Sequence, residues 1–249
     1  MTVRSIVVAV ALVCAAVAAW GTEPSGADVM RKSDATLFGD RGAWTMSLED
    51  HDGQRDKASY TFSCLAGGSD RFLMVAEQPA VMRGQAILRL GDTIYQYIRK
   101  IDRLKQVAAS VAFFSSSFSM EDVVATSLSE FYDFGDAETL AYQGQEAYRV
   151  TMSARSRSAA YSKIVCYVRA SDYRPLAREY YAYSGTMVKR LAFEEQRMGD
   201  DGRLAYVRLR MEDALRPRFY SVVSFSEFDY AAKVTDDLFT VANLKKAAR

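Results

Sequence analysis

The chain is 249 residues long, enough for one sizeable domain, and its 32 basic and 31 acidic side chains leave a formal charge of +1, so it lacks the basic surface on which nucleic-acid affinity rests. Fifteen Tyr and thirteen Phe beside only four Pro suit a strand-rich chain. A lone His, His51, next to a turn leaves no basis for His-based triads or multi-His metal sites.

Residues 1–21 read as an export segment: Arg4, an apolar run from Ile6 to Ala19, and small residues at which cleavage after Ala18 or Gly21 is feasible. The run is short for a membrane span, which takes about 20 apolar residues. Two other readings of the segment are an uncleaved anchor and a lipoprotein signal acylated at Cys14, although Val13 is large for the position before such a cysteine. Arg4 is the one charged residue of this segment, so the remaining chain is neutral, and residues 22–249 are expected to form a single exported, periplasmic, monomeric domain, with anchoring through Cys14 as the alternative to release.

Ser25, with Asp28 three positions on, caps a first amphipathic helix over 27–38 that Gly39 is placed to end. From Ala43 the apolar period changes from 3.6 to 2. Tyr60, Phe62 and Cys64 alternate with Ser59, Thr61 and Ser63; Tyr148, Val150 and Met152 alternate with polar neighbours, as do Ala205, Val207, Leu209 and Met211. Turn signals recur at Asp52-Gly53, Gly67-Gly68, Gly91-Asp92, Gln143-Gly144, Ser184-Gly185, Asp201-Gly202 and Arg216-Pro217. About ten or eleven strands joined this way form an antiparallel meander with one apolar face, and such a sheet curls around something. Cys64 and Cys166 each fall on the apolar face of strands far apart in order, and are expected to be free and buried.

The stretch Met82–Leu128 contains strands on either side of Gly91-Asp92, a basic strand with Arg103 and Lys105 following Arg99 and Lys100, and a loop of apolar residues and serines from Ala108 to Ser117. A second helix follows over 120–128, capped by Ser119 with Asp122 as partner and carrying the stripe Met120, Val123, Val124 and Leu128. A tight core segment does not interleave three hydroxyls, Ser115–Ser117, among Phe113, Phe114 and Phe118 without backbone partners, which favours a mobile cover over an apolar cavity. The basic strand reads either as the solvated face of an edge strand or as a contact for anionic head groups. A helical turn at Asp236–Phe239 finishes the fold. No G-x-S-x-G elbow, phosphate loop or metal-ligand spacing occurs, and the pairs Glu121-Asp122, Glu194-Glu195 and Asp236-Asp237 fit a helix start or the two faces of a strand rather than a catalytic dyad.

Several strings, in this order and spacing, resemble the outer-membrane lipoprotein-sorting proteins with the LolA/LolB-like fold: Arg83-Gly84-Gln85-Ala86 leading to Gly91–Tyr97, Arg103–Val107, Phe118–Val123, Tyr161–Val165 with Pro175-Leu176, and Asp236–Thr240. The likeness runs from about Ala27 to Leu244, with Arg99, Ser115 and Ser117 departing from the common pattern. The resemblance implies a mainly β fold, an unclosed antiparallel barrel around an apolar cavity covered by two or three short helices and a loop. It also implies a non-enzymatic carrier or receptor of lipid or lipoprotein acyl chains in the bacterial envelope, without a cofactor, meeting envelope transport proteins or a membrane surface. Candidate wall and cover residues are Leu88, Ile94, Tyr95, Tyr97, Phe113, Phe114, Phe118, Met120, Val123 and Val124. A lipid-acting hydrolase in the same cavity and an envelope scaffold with a filled barrel are the alternatives.

Overall fold

The computed structural model describes residues 23–37, 41–52, 56–124, 128–129, 131–198 and 204–247; residues 1–21, expected to direct export, and Gly39 lie outside these. Helix α1 (Gly26–Asp34) is followed by β1 (Arg41–His51), β2 (Asp56–Gly67), β3 (Arg71–Gln78), β4 (Ala86–Leu90), β5 (Thr93–Ile98) and β6 (Arg103–Val107). A long connection then carries the short helix α2 (Met120–Val124). After it come β7 (Tyr132–Tyr142), β8 (Gln145–Ala154), β9 (Lys163–Arg169), β10 (Pro175–Tyr181), β11 (Met187–Met198), β12 (Leu204–Asp213) and β13 (Tyr220–Asp229). A 3-10 turn at Asp236–Leu238 and helix α3 (Val241–Ala247) end the described chain.

The strands form one antiparallel sheet of thirteen, ordered β6-β5-β4-β3-β2-β1-β13-β12-β11-β10-β9-β8-β7, which does not close into a barrel. Thirteen exceeds the ten or eleven expected because two connections, 155–162 and 170–174, contain neither Gly nor Pro. In the second of these Tyr173 takes the left-handed conformation at φ 60 that a Gly would adopt without strain. In this order the first and last strands sit in the middle, and the edge strands β6 and β7 are joined by residues 108–131. That connection must cross the concave face.

Alternation sends one set of side chains inward. Trp44, Met46 and Leu48 of β1, Phe62 and Cys64 of β2, and Phe72 and Met74 of β3 form the main core with Met152, Ile164, Leu191, Met211 and Val223. Cys64 and Cys166 are free, buried, and on non-adjacent strands, as expected. A second, smaller core lies on the convex side, where Leu73, Ala86, Leu88 and Tyr97 meet Val234, Phe239 and Leu244 of the C-terminal segment. Strands β3 to β5 are therefore covered on both faces. Among the described residues no helix is long and apolar enough to cross a membrane.

Helix α1 begins where Ser25 Oγ accepts from Asp28 N at 3.1 Å, and it stops at Asp34 rather than running to 38. Its first residue packs directly on the β7 backbone: a Cβ at Gly26 would lie 1.8 Å from the Gly135 carbonyl oxygen. Backbone cannot yield as a flexible side chain can, so Gly26→Ala is expected to push α1 off the sheet and cost about 1–3 kcal/mol. Urea unfolding of the two proteins measures this directly.

Candidate functional site

The concave face and the cover enclose a hollow of about 100 Å³. The sheet contributes Trp44, Met46, Phe72, Arg178, Tyr180, Leu191, Phe193, Leu209, Val223 and Phe225; α1 and the turn after it contribute Asp34 and Leu37; the cover contributes Phe118, Glu121, Asp122, Val123 and Leu128. A water needs about 10–15 Å³ by the same kind of measure, and dry cavities of roughly 150 Å³ admit a benzene ring. The hollow as it stands accepts a short apolar segment, and a longer one requires the cover to withdraw.

The expected wall and cover residues divide three ways. Phe118 and Val123 line the hollow. Phe113, Met120, Val124 and Ile94 are buried in the same core, with Phe114 packed against it, and occupy space that a larger cavity would contain. Leu88, Tyr95 and Tyr97 lie on the opposite, convex side with the C-terminal segment. The reason is register: in β4, Ile87 and Arg89 turn inward while Ala86 and Leu88 turn outward, and because both faces are covered no polar alternation marks which is which. The residues missed, Trp44, Met46, Leu191, Phe193, Val223 and Phe225, lie on strands whose inward apolar alternation was the available signal.

The cover is built from local rules. Ser119 and Asp122 form a reciprocal capping box, Ser119 N donating to Asp122 Oδ2 at 2.7 Å and Asp122 N to Ser119 Oγ at 3.3 Å. The serines between the phenylalanines find partners as well. Phe118 N donates to the Ser116 hydroxyl at 3.1 Å, Ser117 N donates to Ser221 Oγ at 2.8 Å, and Ser115 is exposed, so the serine run is compatible with tight packing. Ser221 in turn donates to Asp50. Phe113 and Phe114 stack edge to face at 4.7 Å and rest on Phe62, each at 5.3 Å. Phe114 and Ser115 both have positive φ, 47 and 64, a conformation that costs side-chain-bearing residues about 1–3 kcal/mol each.

Two carboxylates fasten α2 to the wall. Glu121, 1% exposed, accepts from the Tyr132 hydroxyl and from Ala160 N at 2.9 Å. Asp122 accepts from the Tyr161 hydroxyl at 2.6 Å, and Lys189 Nζ donates to that same hydroxyl oxygen at 3.0 Å while standing 3.8 Å from the carboxylate. Arg89, fully buried, donates to Ser69 O at 2.8 Å and reaches Val124 O at 3.5 Å, its guanidinium over the Phe131 ring. Burial raises the Glu121 carboxyl above the carboxylate range, against the opposing pull of the Tyr132 and Ala160 hydrogen bonds. Burial also lowers the Lys189 ammonium.

Arg178 is a second buried guanidinium, on β10. Its Nε and Nη2 are buried without a hydrogen-bond partner, and the nearest carboxylate oxygen, Asp34 Oδ1, stands 3.6 Å from Nη2. It faces the hollow with Phe193 beneath its guanidinium. Among the described residues no cluster of three or more His, Cys, Asp and Glu could hold a metal ion. His51 sits at the end of β1, stacked on Tyr220 at 4.5 Å, away from the residues that line the hollow.

A family model described as "Uncharacterized protein" matches residues 68–246, more than half of the chain. The chain belongs to that family. A LolA superfamily protein from Nitrosomonas europaea superposes with a TM-score of 0.80 at 21% identity, over 88% of this chain and 99% of its own. An outer membrane lipoprotein-sorting protein domain from Vibrio parahaemolyticus gives 0.77 at 20% identity, over 88% and 98%. A DUF1329 family protein from Desulfovibrio piger gives 0.77 at 21%, over 90% and 100%. The fold is LolA-like. No curated protein matches the sequence. In this LolA-like sheet the edge-to-edge connection 108–131 supplies the cover, which agrees with the architecture that the resemblance implied.

Removing Glu121 as Glu121→Ala leaves the Tyr132 hydroxyl and the Ala160 N–H buried without a partner, an expected loss of roughly 2–3 kcal/mol in chemical denaturation. Because the folded-state carboxyl is raised, its contribution to stability is greatest in acid and declines as pH climbs from 4.5 through the raised value. Glu121→Gln is therefore expected to gain stability relative to wild type over that climb, which a series of unfolding curves from acid to neutral pH will read.

Proposed function

We propose that this protein is a non-covalent carrier or receptor of lipid or lipoprotein acyl chains in the bacterial envelope, formed by a single domain over residues 22–249 behind an export segment. The observation that carries this reading is the hollow itself: a concave wall of rings and aliphatic side chains, closed by a cover that packs apolar side chains into the core and is fastened by polar contacts around α2. Each methylene withdrawn from water contributes about 0.8 kcal/mol, so a chain can be held by area alone, with no directional chemistry and no catalytic step. The LolA superfamily neighbour and the lipoprotein-sorting neighbour support the reading through the kind of protein they are.

In this reading the cargo enters by displacing the buried side chains of the cover, Phe113, Phe118 and Met120 chief among them, and these re-pack around chains of different length. Its polar end meets Arg178. Glu121 and Asp122 already have partners and Arg89 does not line the hollow, so Arg178, whose Nε has no hydrogen-bond partner, is where an ester or carboxylate oxygen finds a donor.

The test is native mass spectrometry of the protein purified from its own envelope, followed by titration of the stripped protein with a fluorescent fatty acid. Co-purified acyl species and saturable uptake are expected; a clean mass with no uptake favours a scaffold with a filled barrel. Val223→Trp, which adds volume inside the hollow, is expected to abolish uptake while leaving the circular dichroism spectrum unchanged. Arg178→Met is expected to weaken the fatty acid by about tenfold or more, the loss of a charge-assisted hydrogen bond, without weakening an alkane of equal length.

A further inference from the structure

The two ends of the sheet differ in kind. Because every connection between neighbouring strands is a hairpin, the turns fall alternately on two rims. The upper rim, where β1 ends, also carries the described turns 79–85, 99–102, 155–162, 182–186 and 214–219. The lower rim carries 68–70, 91–92, 143–144 and 170–174.

The large hydrophobic side chains exposed among the described residues collect on the upper rim. Val81 is 72% exposed, Leu215 64%, Ile101 59%, Tyr183 42% and Met187 36%; the other, Val111, belongs to the cover. They come from four different hairpins, and none lies on the lower rim. Charge follows the same division. The turns bearing Val81, Ile101 and Leu215 add Arg83, Arg99, Lys100, Arg216 and Arg218, with Asp102 the acid within them, and turn 155–162 adds Arg155 and Arg157; Asp52 follows β1 on the same rim, Arg216 is paired with Asp213 and Arg155 with Asp133. The lower turns carry Asp70, Asp92 and Asp172 against Arg174. Among the described residues Arg99, Lys100 and Arg218 make no ion pair, and Arg157 lies over the Tyr183 ring. Single apolar side chains at the tips of basic hairpins cannot form one another's core. They match a surface with hydrocarbon below a layer of negative charge.

We propose that the upper rim is a docking surface for an anionic lipid bilayer, with Val81, Ile101 and Leu215 entering the head-group layer and the neighbouring Arg and Lys side chains holding phosphates. Each basic residue close to such a surface adds to the attraction, and salt screens it. The rim also bears on the hollow. The cover is tied to this same end through Ser117, Ser221 and Asp50, and its positive-φ residues Phe114 and Ser115 follow Phe113, which closes the core there against Phe62. Docking brings the strained part of the cover to the lipid interface, the place where an acyl chain leaves one apolar phase for another. The docking claim itself does not depend on the cargo reading.

The test places an environment-sensitive NBD fluorophore on the full chain, in a Cys14→Ser background, at Val81→Cys, at Leu215→Cys or, on the lower rim, at Gln143→Cys. Because depth is read at each site, any separate contribution from the N-terminal segment does not enter. On phosphatidylcholine vesicles containing phosphatidylglycerol, the probes at 81 and 215 are expected to shift to the blue and brighten and the probe at 143 to stay unchanged. Pure phosphatidylcholine is expected to give no response, and Arg99→Glu with Lys100→Glu to remove the response at 81. Dim probes at 81 and 215, brightening at 143 equal to theirs, or the same response on uncharged vesicles would each overturn the proposal.

Discussion

One constraint governs the molecule: a single sheet of thirteen strands has both of its edges joined by one connection, and that connection has to cross the concave face. Exposed apolar surface on that scale is unfavourable, so whatever crosses it must be apolar on its inner side. Phe113, Phe118, Met120 and Val124 answer that requirement and place their side chains in the main core. The cover is therefore part of the packing as well as a lid, and the hollow beside it is what remains after it has seated.

The polar groups of the cover determine where it is held. Glu121 and Asp122 are adjacent in the first turn of α2 and take donors from Tyr132 and from turn 155–162, the Tyr132 hydroxyl and Ala160 N for one and the Tyr161 hydroxyl for the other, with Lys189 3.8 Å from Asp122. Buried and satisfied, such groups specify one position of a helix only five residues long, which has little stability of its own. Arg89 carries charge opposite to Glu121 and is engaged with backbone carbonyls, whereas Arg178 stands 3.6 Å from Asp34 and faces the hollow.

What could be read from the sequence follows from how local each signal is. The capping boxes at Ser25 and Ser119 lie within four residues and were legible, as were the strands with one wet face. Leu88, Tyr95 and Tyr97 were assigned to the wrong side because the C-terminal segment covers β3 to β5 from outside, so both faces read as apolar. Two strands were missed where Tyr173, and not Gly, takes the left-handed position and where turn 155–162 has no Gly or Pro. Buried Arg89 and Arg178 were not legible at all, since an arginine on a strand reads as solvent-facing until the long-range partners, Ser69 and Asp34, are known. The division of apolar and basic hairpins between the rims was likewise invisible, because it depends on which turns share an end.

The central claim is that the hollow admits an acyl chain by moving the cover and leaving the wall in place. Amide hydrogen exchange with and without bound palmitate tests it at named positions: Phe113 N, which donates to Phe118 O at 2.9 Å, Met120 N, which donates to Val111 O at 2.8 Å, and Glu121 N, which donates to Ala109 O at 3.1 Å. Faster exchange at these three amides on loading, with the amides of β1, β2 and β13 unchanged, is the result the account predicts. Unchanged exchange in the cover when palmitate is bound, or faster exchange spread equally through the sheet, would contradict it.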